Sequence, residues 1–190
     1  MEIVQSFKVA HPPERVWVYF ADVPAVASCM PGAEFAEQLD GQRYSGNMSV
    51  RLGPLAAKFV TEVTVTRDDS KLIGVVEGRG VDQRSNSRVQ SKLTYTLAPS
   101  DGGNATDIHI KADIALAGAL AQFGRSGIVQ EVAARLTADF ANNLHARLAA
   151  QSSAQAAAAP GVSAPAKELR AGSLLLAALW ARIKRWLHLR

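Results

Sequence analysis

Histidines, cysteines and paired carboxylates carry most protein chemistry near neutral pH, and in this sequence they are thinly spread. His11 stands just before Pro12-Pro13, and His109 falls on the outward side of a strand between Ile108 and Ile110. His145 adjoins Leu144 in a helical stripe, and His188 is near the C-terminus. No His-x-x-x-His pair occurs, so helical zinc binding of that kind is excluded. Carboxylates such as Glu62, Glu77 and Asp82 fall on strand faces or in turns, where solvation explains them. Cys29 is the one cysteine. It permits no internal disulfide and no multi-cysteine metal site. Beside Met30 and Pro31-Gly32 it reads as a small buried apolar residue or as part of a pocket mouth. No catalytic residue and no metal ligand is expected.

The elements that would position a site follow from periodicity. Residues 2–10 alternate, with Ile3, Phe7 and Val9 on one face of a strand. Pro12-Pro13 opens a short helix, because proline is tolerated in a first turn whose N–H groups are unpaired anyway. Val16, Trp17 and Phe20 fit its buried side. Asp22 before Pro24 restarts a second short helix through Ser28, which Pro31-Gly32 stops. Residues 35–39 and 44–52 read as a hairpin around Asp40-Gly41, a pair that accepts the positive φ of a two-residue turn. Strands over 58–65, 72–78, 88–97 and 106–116 follow. Val89, Leu93, Tyr95 and Leu97 share one face, as do Ile108, Ile110, Ile114 and Leu116. From Leu120 to about Leu148 apolar residues recur every four positions (Leu120, Ile128, Val132, Leu136, Phe140, Leu144, Leu148), widened by Phe123, Val129 and Ala133. Such a helix, about 43 Å long, buries its stripe only if the preceding sheet wraps it. The expected fold class is α+β, a curved seven-stranded antiparallel sheet around one long helix, in a domain over residues 1–149.

Residues 151–166, QSSAQAAAAPGVSAPA, are small and hold two prolines. A flexible linker over 150–168 is expected, with an r.m.s. span of roughly 25 Å. Residues 169–190 then form an amphipathic helix on a wheel. Leu169, Leu176, Leu179, Trp180, Ile183, Trp186 and Leu187 share an arc opposite Arg170, Arg182, Lys184, Arg185 and His188. The uncharged run 171–181 is eleven residues, against about twenty needed to span hydrocarbon. This helix therefore cannot cross a bilayer alone, but it can lie on one. Tryptophan settles at headgroup level and each cation near anionic lipid contributes about 1 kcal/mol. The expected membrane-binding set is Leu176, Leu179, Trp180, Arg182, Ile183, Lys184, Arg185, Trp186 and Leu187. A groove in a partner protein, or the chain's own domain, would accept the same stripe.

The sequence pI near 9.5 suggests nucleic acid until the charge is located. Residues 166–190 hold six cations against Glu168, a net of +5; the whole chain is +4, so residues 1–165 come to −1. A body this close to neutral is a poor counter-ion for phosphate backbones, and nucleic acid is not an expected partner. The N-terminus opens on Glu2-Ile3-Val4 rather than on a basic segment and apolar core. The expected location is the cytoplasmic face of the inner membrane, peripherally attached.

Three spaced runs carry a family resemblance. They are Asp22-Val23-Pro24 ahead of Cys29-Met30-Pro31-Gly32-Ala33-Glu34; Leu52-Gly53-Pro54-Leu55 with Ala57-Lys58-Phe59; and DIALAGALAQFGR, residues 113–125, closed by Phe140. With the order of elements, residues 1 to about 148 resemble the family of the carbon monoxide dehydrogenase CoxG subunit (CoxG-like), within the START-like, or SRPBCC, helix-grip superfamily. The resemblance implies a hydrophobic pocket between the curved sheet and the long helix, in a fold used for lipids, sterols and other apolar ligands. In this sequence that pocket would fall between Phe7, Tyr44, Met48, Phe59, Val63, Tyr95, Ile114, Leu116, Leu120 and Phe123.

The resemblance also implies association with a molybdenum-containing hydroxylase of the CO dehydrogenase type at the cytoplasmic membrane, where electrons pass to quinone. The implied function is non-enzymatic: a membrane-tethered protein that binds an apolar small molecule and recruits or couples the hydroxylase. No cofactor is implied beyond a bound quinone or other apolar lipid. An enzyme of the polyketide cyclase or hydrolase kind, relying on a pocket polar residue such as Tyr44 or Tyr95, is an alternative. So is a ligand-free adaptor whose tail helix binds a protein. Gly118, Gly124 and Gly127 stand where the long helix is expected to begin, at about 1 kcal/mol each relative to alanine in a helix interior. Either they let a ligand or strand backbone approach closely, or they pack the helix tightly on the sheet.

Overall fold

Alternation along the chain becomes a single antiparallel sheet of seven strands in the order β1-β7-β6-β5-β4-β3-β2. The structure, a computed structural model, describes residues 1–52, 55–125 and 127–158. Its elements are β1 (Glu2–Val9), α1 (Pro13–Tyr19), α2 (Val23–Ala27), β2 (Ala33–Asp40), β3 (Arg43–Leu52), β4 (Leu55–Asp68), β5 (Ile73–Asp82), β6 (Ser87–Ser100) and β7 (Ala105–Ala117). A 3-10 segment (Gly118–Arg125) then leads to α3 (Ile128–Ala158). The fold is α+β, with a curved sheet and a C-terminal helix. Residues Met1–Ser152 form one compact unit.

Pro13 opens α1, and in α2 the Asp22 carboxylate accepts from the Ala25 amide at 3.0 Å, satisfying a donor that the helix leaves free. Register fixes which side chains face inward. Gln5, Ile110, Tyr95 and Gly74 are partners in one row across β1, β7, β6 and β5. Ile114, Ser91, Gly78, Val63 and Tyr44 make another row from β7 to β3.

Two buried clusters form. One joins Val9, Val16, Trp17, Phe20, Tyr95, Ile108, Phe140, Leu144 and Leu148 beneath α1. The other joins Ile3, Ala57, Phe59, Ala112, Leu120 and Val129. The distal part of α3 is also held by polar ties. Arg15 Nη2 donates to Leu148 O at 3.0 Å, Asn143 Nδ2 donates to Cys29 O at 2.9 Å, and His145 Nε2 lies 2.9 Å from Lys8 O.

The long helix differs from expectation at both ends. Residues 118–125 are 3-10 rather than α-helical, and α3 proper begins at Ile128. Gly118 explains the break: its φ is +75°, outside any right-handed helix, and a Cβ there would lie 2.0 Å from Asn86 O. Close backbone approach is thus the role of Gly118. A Cβ at Gly124 would meet only Met1 Cε at 3.4 Å, and one at Gly127 would meet nothing within 4 Å. At its other end α3 continues to Ala158, into the segment expected to be linker. Alanine is the best helix former, so an alanine-rich run extends a helix already nucleated by packing. The rest of that linker, residues 159–168, and the whole tail with its membrane-binding set lie outside the described residues. Among the described residues no helix is long and apolar enough to cross a membrane.

Candidate functional site

Between the two buried clusters the sheet and α3 do not close on each other. They leave a cavity of two lobes, each about 430 Å³. Ile3, Val23, Met30, Met48, Ala133 and Leu136 line both, which makes the lobes contiguous. The inner lobe lies beneath α1 and α2 and includes Phe7, Phe20, Tyr95, Ile108 and Phe140. The outer lobe reaches toward the 3-10 segment and the edge strand β2, with Tyr44, Val50, Phe59, Leu116, Leu120 and Val129.

Aromatic side chains close the inner lobe. Ring centroids run from Phe7 to Phe140 (5.9 Å), Phe140 to Phe20 (6.4 Å), Phe20 to Tyr95 (5.3 Å) and Tyr95 to Trp17 (6.0 Å). Behind them the Arg67 guanidinium sits 4.0 Å from the Trp17 ring centroid and donates to Trp17 O at 2.8 Å, while Trp17 Nε1 donates to Asp69 at 2.8 Å. The Tyr95 ring lies across Gly74, where an added Cβ would come 2.0 Å from Tyr95 Cζ. Burial raises the Tyr95 pKa above its ordinary value, opposed by Arg67, so the phenol stays protonated.

At the opposite end the β5–β6 turn anchors the 3-10 segment. The buried Asp82 carboxylate accepts from Ser85 Oγ at 2.7 Å and the Arg84 amide at 3.0 Å, bonds that hold its pKa below the usual carboxylate range. Ser87 Oγ in turn accepts from the Leu120 amide at 3.3 Å.

Of the ten expected pocket residues, Tyr44, Met48, Phe59, Val63, Ile114, Leu116 and Leu120 line the outer lobe, and Phe7 and Tyr95 the inner one. Met48, Val63 and Ile114 face both. Phe123 lines neither; it packs against the second buried cluster. Met30 reaches the cavity but Cys29 does not. Its Sγ is buried 3.5 Å from Tyr19 Oη, and burial, then this contact, pushes the tyrosine pKa up.

No histidine lines either lobe. His109 is exposed, and the His11 ring has its pKa lowered first by burial, then by Arg15 and His145. Glu62 pairs with Arg79 and Glu77 with Lys92. Among the described residues no three metal-ligating side chains converge. Sequence reasoning missed Gln5 and Thr137, the polar side chains that line the inner lobe with Tyr95. It also missed the small residues Ala27, Ala33 and Ala133, which line both lobes without filling them.

A family model that describes the CoxG subunit of carbon monoxide dehydrogenase matches residues 6–149. The chain belongs to that family. No curated protein matches it. Solved structures share the START-like fold of this CoxG-family chain. A conserved protein from Geobacillus kaustophilus is 17% identical, with 80% of this chain and 97% of that one covered at a TM-score of 0.70. The Zhui aromatase/cyclase from Streptomyces sp. R1128 is 14% identical over 80% and 95%, TM-score 0.55. The human StarD13 lipid transfer and protein localization domain is 18% identical over 74% and 75%, TM-score 0.50. At these identities the likeness is one of fold.

Proposed function

We propose that this CoxG-family protein is a carrier that takes up an apolar ligand between its sheet and α3, and that its tail holds it at the cytoplasmic face of the inner membrane. The observation that carries this reading is the contiguous cavity, two lobes of about 430 Å³ lined mainly by aliphatic and aromatic side chains, with Glu34, Ser45, Asn47, Thr61, Arg79 and Ser91 among those of the outer lobe. That volume suits one lipid-sized molecule. Carriage is favoured over catalysis because the charged side chains that line the cavity, Glu34 and Arg79 of the outer lobe, are each engaged in an ion pair, with Lys58 and with Glu62. Family membership favours a quinone as ligand and a CO dehydrogenase-type molybdenum hydroxylase as the partner served.

The sheet adds a reason to face the membrane. Arg51, Arg84 and Arg88 sit at the sheet end that carries the β3–β4 and β5–β6 hairpins and the 3-10 segment, and all three are exposed. Among the described residues none pairs with a carboxylate, whereas Lys8, Arg43, Arg67 and Lys71 at the opposite end all do. Unpaired cations around the outer lobe complement anionic lipid. Extraction of purified protein with organic solvent, followed by mass spectrometry, is expected to yield a co-purifying neutral lipid. Repeated absence of one, with no binding of added quinone, would remove the carrier reading. Pelleting with anionic vesicles should be strong for the full chain and lost when the chain is stopped at Ala166; equal pelleting would remove the tether.

A further inference from the structure

Across its middle the convex face of the sheet carries charges in cross-strand pairs: Arg79 with Glu62, Lys92 with Glu77 and Lys111 with Glu2. Toward the end that bears the β3–β4 and β5–β6 hairpins the pattern changes. There Asn47, Val60, Val81 and Arg88 are partners in one row across β3, β4, β5 and β6. Val60 is 65% exposed and Val81 43%. Of the exposed large apolar side chains among the described residues, these are the two that are cross-strand partners.

Arg88 adjoins Val81 in the row, Arg84 lies in the turn that joins their strands, and Arg51 lies farther along β3 toward its hairpin. The carboxylates nearby are already engaged. Glu34, the β2 partner of Asn47, pairs with Lys58; Glu62 pairs with Arg79; the buried Asp82 accepts from Ser85 Oγ. Two adjacent valines are thus rimmed by three cations without counter-charge.

A single exposed valine on a sheet is ordinary. An apolar pair with free arginines around it has the make-up of a surface that meets anionic lipid, the valines leaving water at headgroup depth and the guanidinium groups reaching the phosphates. A stable protein contact needs about 800 Å² from each partner, with an apolar core. Two valines bordered by paired charges on a convex face supply less than that. A fluid bilayer needs no matching shape.

We infer that Val60 and Val81 insert among the headgroups of an anionic bilayer, with Arg51, Arg84 and Arg88 on its phosphates, so that the domain meets the membrane on the convex face of β4–β6. This rests on the reading that this end of the sheet faces a membrane, and it adds the face that makes contact and its apolar anchors.

The test places the polarity-sensitive dye NBD on the full-length protein through Val60→Cys, Val81→Cys or Val18→Cys. Cys29 is buried and escapes a thiol reagent on the folded protein. Val18, 72% exposed on α1 at the opposite end of the sheet, is the control. With phosphatidylcholine vesicles containing phosphatidylglycerol, emission from positions 60 and 81 should shift to the blue and be quenched by doxyl-labelled lipid; emission from position 18 should do neither. Val60→Thr and Val81→Thr together keep side-chain shape and strand propensity. The double variant should unfold at the wild-type urea midpoint and bind these vesicles about tenfold more weakly, the loss expected from two methyl groups. Silent labels at 60 and 81 on protein that pellets, a shift of equal size at 18, or wild-type binding by the threonine variant would overturn the contact and leave the tether standing. A blue shift at 60 and 81 that grows with protein concentration in the absence of lipid would assign the face to a second copy and overturn it too. Protein that does not pellet with these vesicles at all would remove the contact and the membrane reading together.

Discussion

Ala133 offers a direct measurement of whether the space beneath α3 is real. It lines both lobes and is half-buried. Ala133→Leu adds three carbon groups that would lie in the cavity, worth about 0.8 kcal/mol each when buried, or about 2.4 kcal/mol in all. Fixing the leucine rotamer costs about 0.5–1 kcal/mol, and helix propensity hardly changes. The net is a stabilisation of about 1.5 kcal/mol. For a domain near 150 residues this corresponds to a rise in Tm of about 3–6 °C. The same carbon atoms occupy ligand volume, so affinity for an apolar probe should drop about tenfold or more. Thermal unfolding by circular dichroism and dye displacement on the same preparation read both effects. A fall in Tm of the size overpacking produces, about 1–3 kcal/mol, would show that Ala133 abuts closed core. Unchanged probe affinity at a raised Tm would place the ligand elsewhere.

Gly118→Ala forces a side chain into the left-handed region and its methyl 2.0 Å from Asn86 O. A loss of at least about 2 kcal/mol is expected, whereas Gly124→Ala should be near neutral; equal urea midpoints for the two variants would contradict this. The Asp82 carboxylate has a lowered folded pKa, so its contribution to stability is complete above the unfolded value of about 3.9 and is lost as pH falls through the folded one. The gap in urea midpoint between wild type and Asp82→Ala should therefore be constant from about pH 7 to 5 and narrow below about pH 4. A gap independent of pH would refute this account. Replacing Arg51, Arg84 and Arg88 together by glutamate should reduce sedimentation with phosphatidylglycerol vesicles more than tenfold, from about 1 kcal/mol per cation; unchanged sedimentation would detach this end of the sheet from the bilayer.

The architecture was legible because two periods carry it. The inward rows of β6 and β7 were readable as Val89, Leu93, Tyr95, Leu97 and as Ile108, Ile110, Ile114, Leu116, and the helical stripe gave α3 from Ile128 to Leu148. The errors arose where local chemistry overrides period. Gly118 takes a positive φ that no apolar spacing reveals. The alanines after Gln151 look like linker by composition yet prolong a helix. Nine of the ten expected residues line the cavity, because large inward side chains mark a lining. Gln5 was legible in principle: it shares strand parity with Ile3, Phe7 and Val9, and a polar residue at inward parity is the sign of a polar task. Thr137 carries no such sign, since a helical stripe tolerates threonine at its margin.

The cavity exists because β5 withholds side chains from the concave face. Inward positions of that strand are Gly74, Val76, Gly78 and Gly80. Neighbours cover the glycines closely: a Cβ at Gly78 would meet Ser91 Oγ at 3.0 Å, and one at Gly80 would meet Thr61 Cγ2 at 3.0 Å. The sheet's middle is therefore a shallow floor, while bulk gathers at its two ends. Stability then comes from the ends, and the distal part of α3 is further fixed by Arg15, Asn143 and His145. The first turns of α3 face the cavity instead, through Val129, Val132, Ala133 and Leu136. A ligand should add contacts there and few beyond Phe140. Hydrogen exchange on protein loaded with a decyl-substituted benzoquinone should thus slow at amides of residues 128–137 and change little over 141–150. Uniform protection along α3 would mean that the helix opens as one piece, and that its polar ties do not divide it.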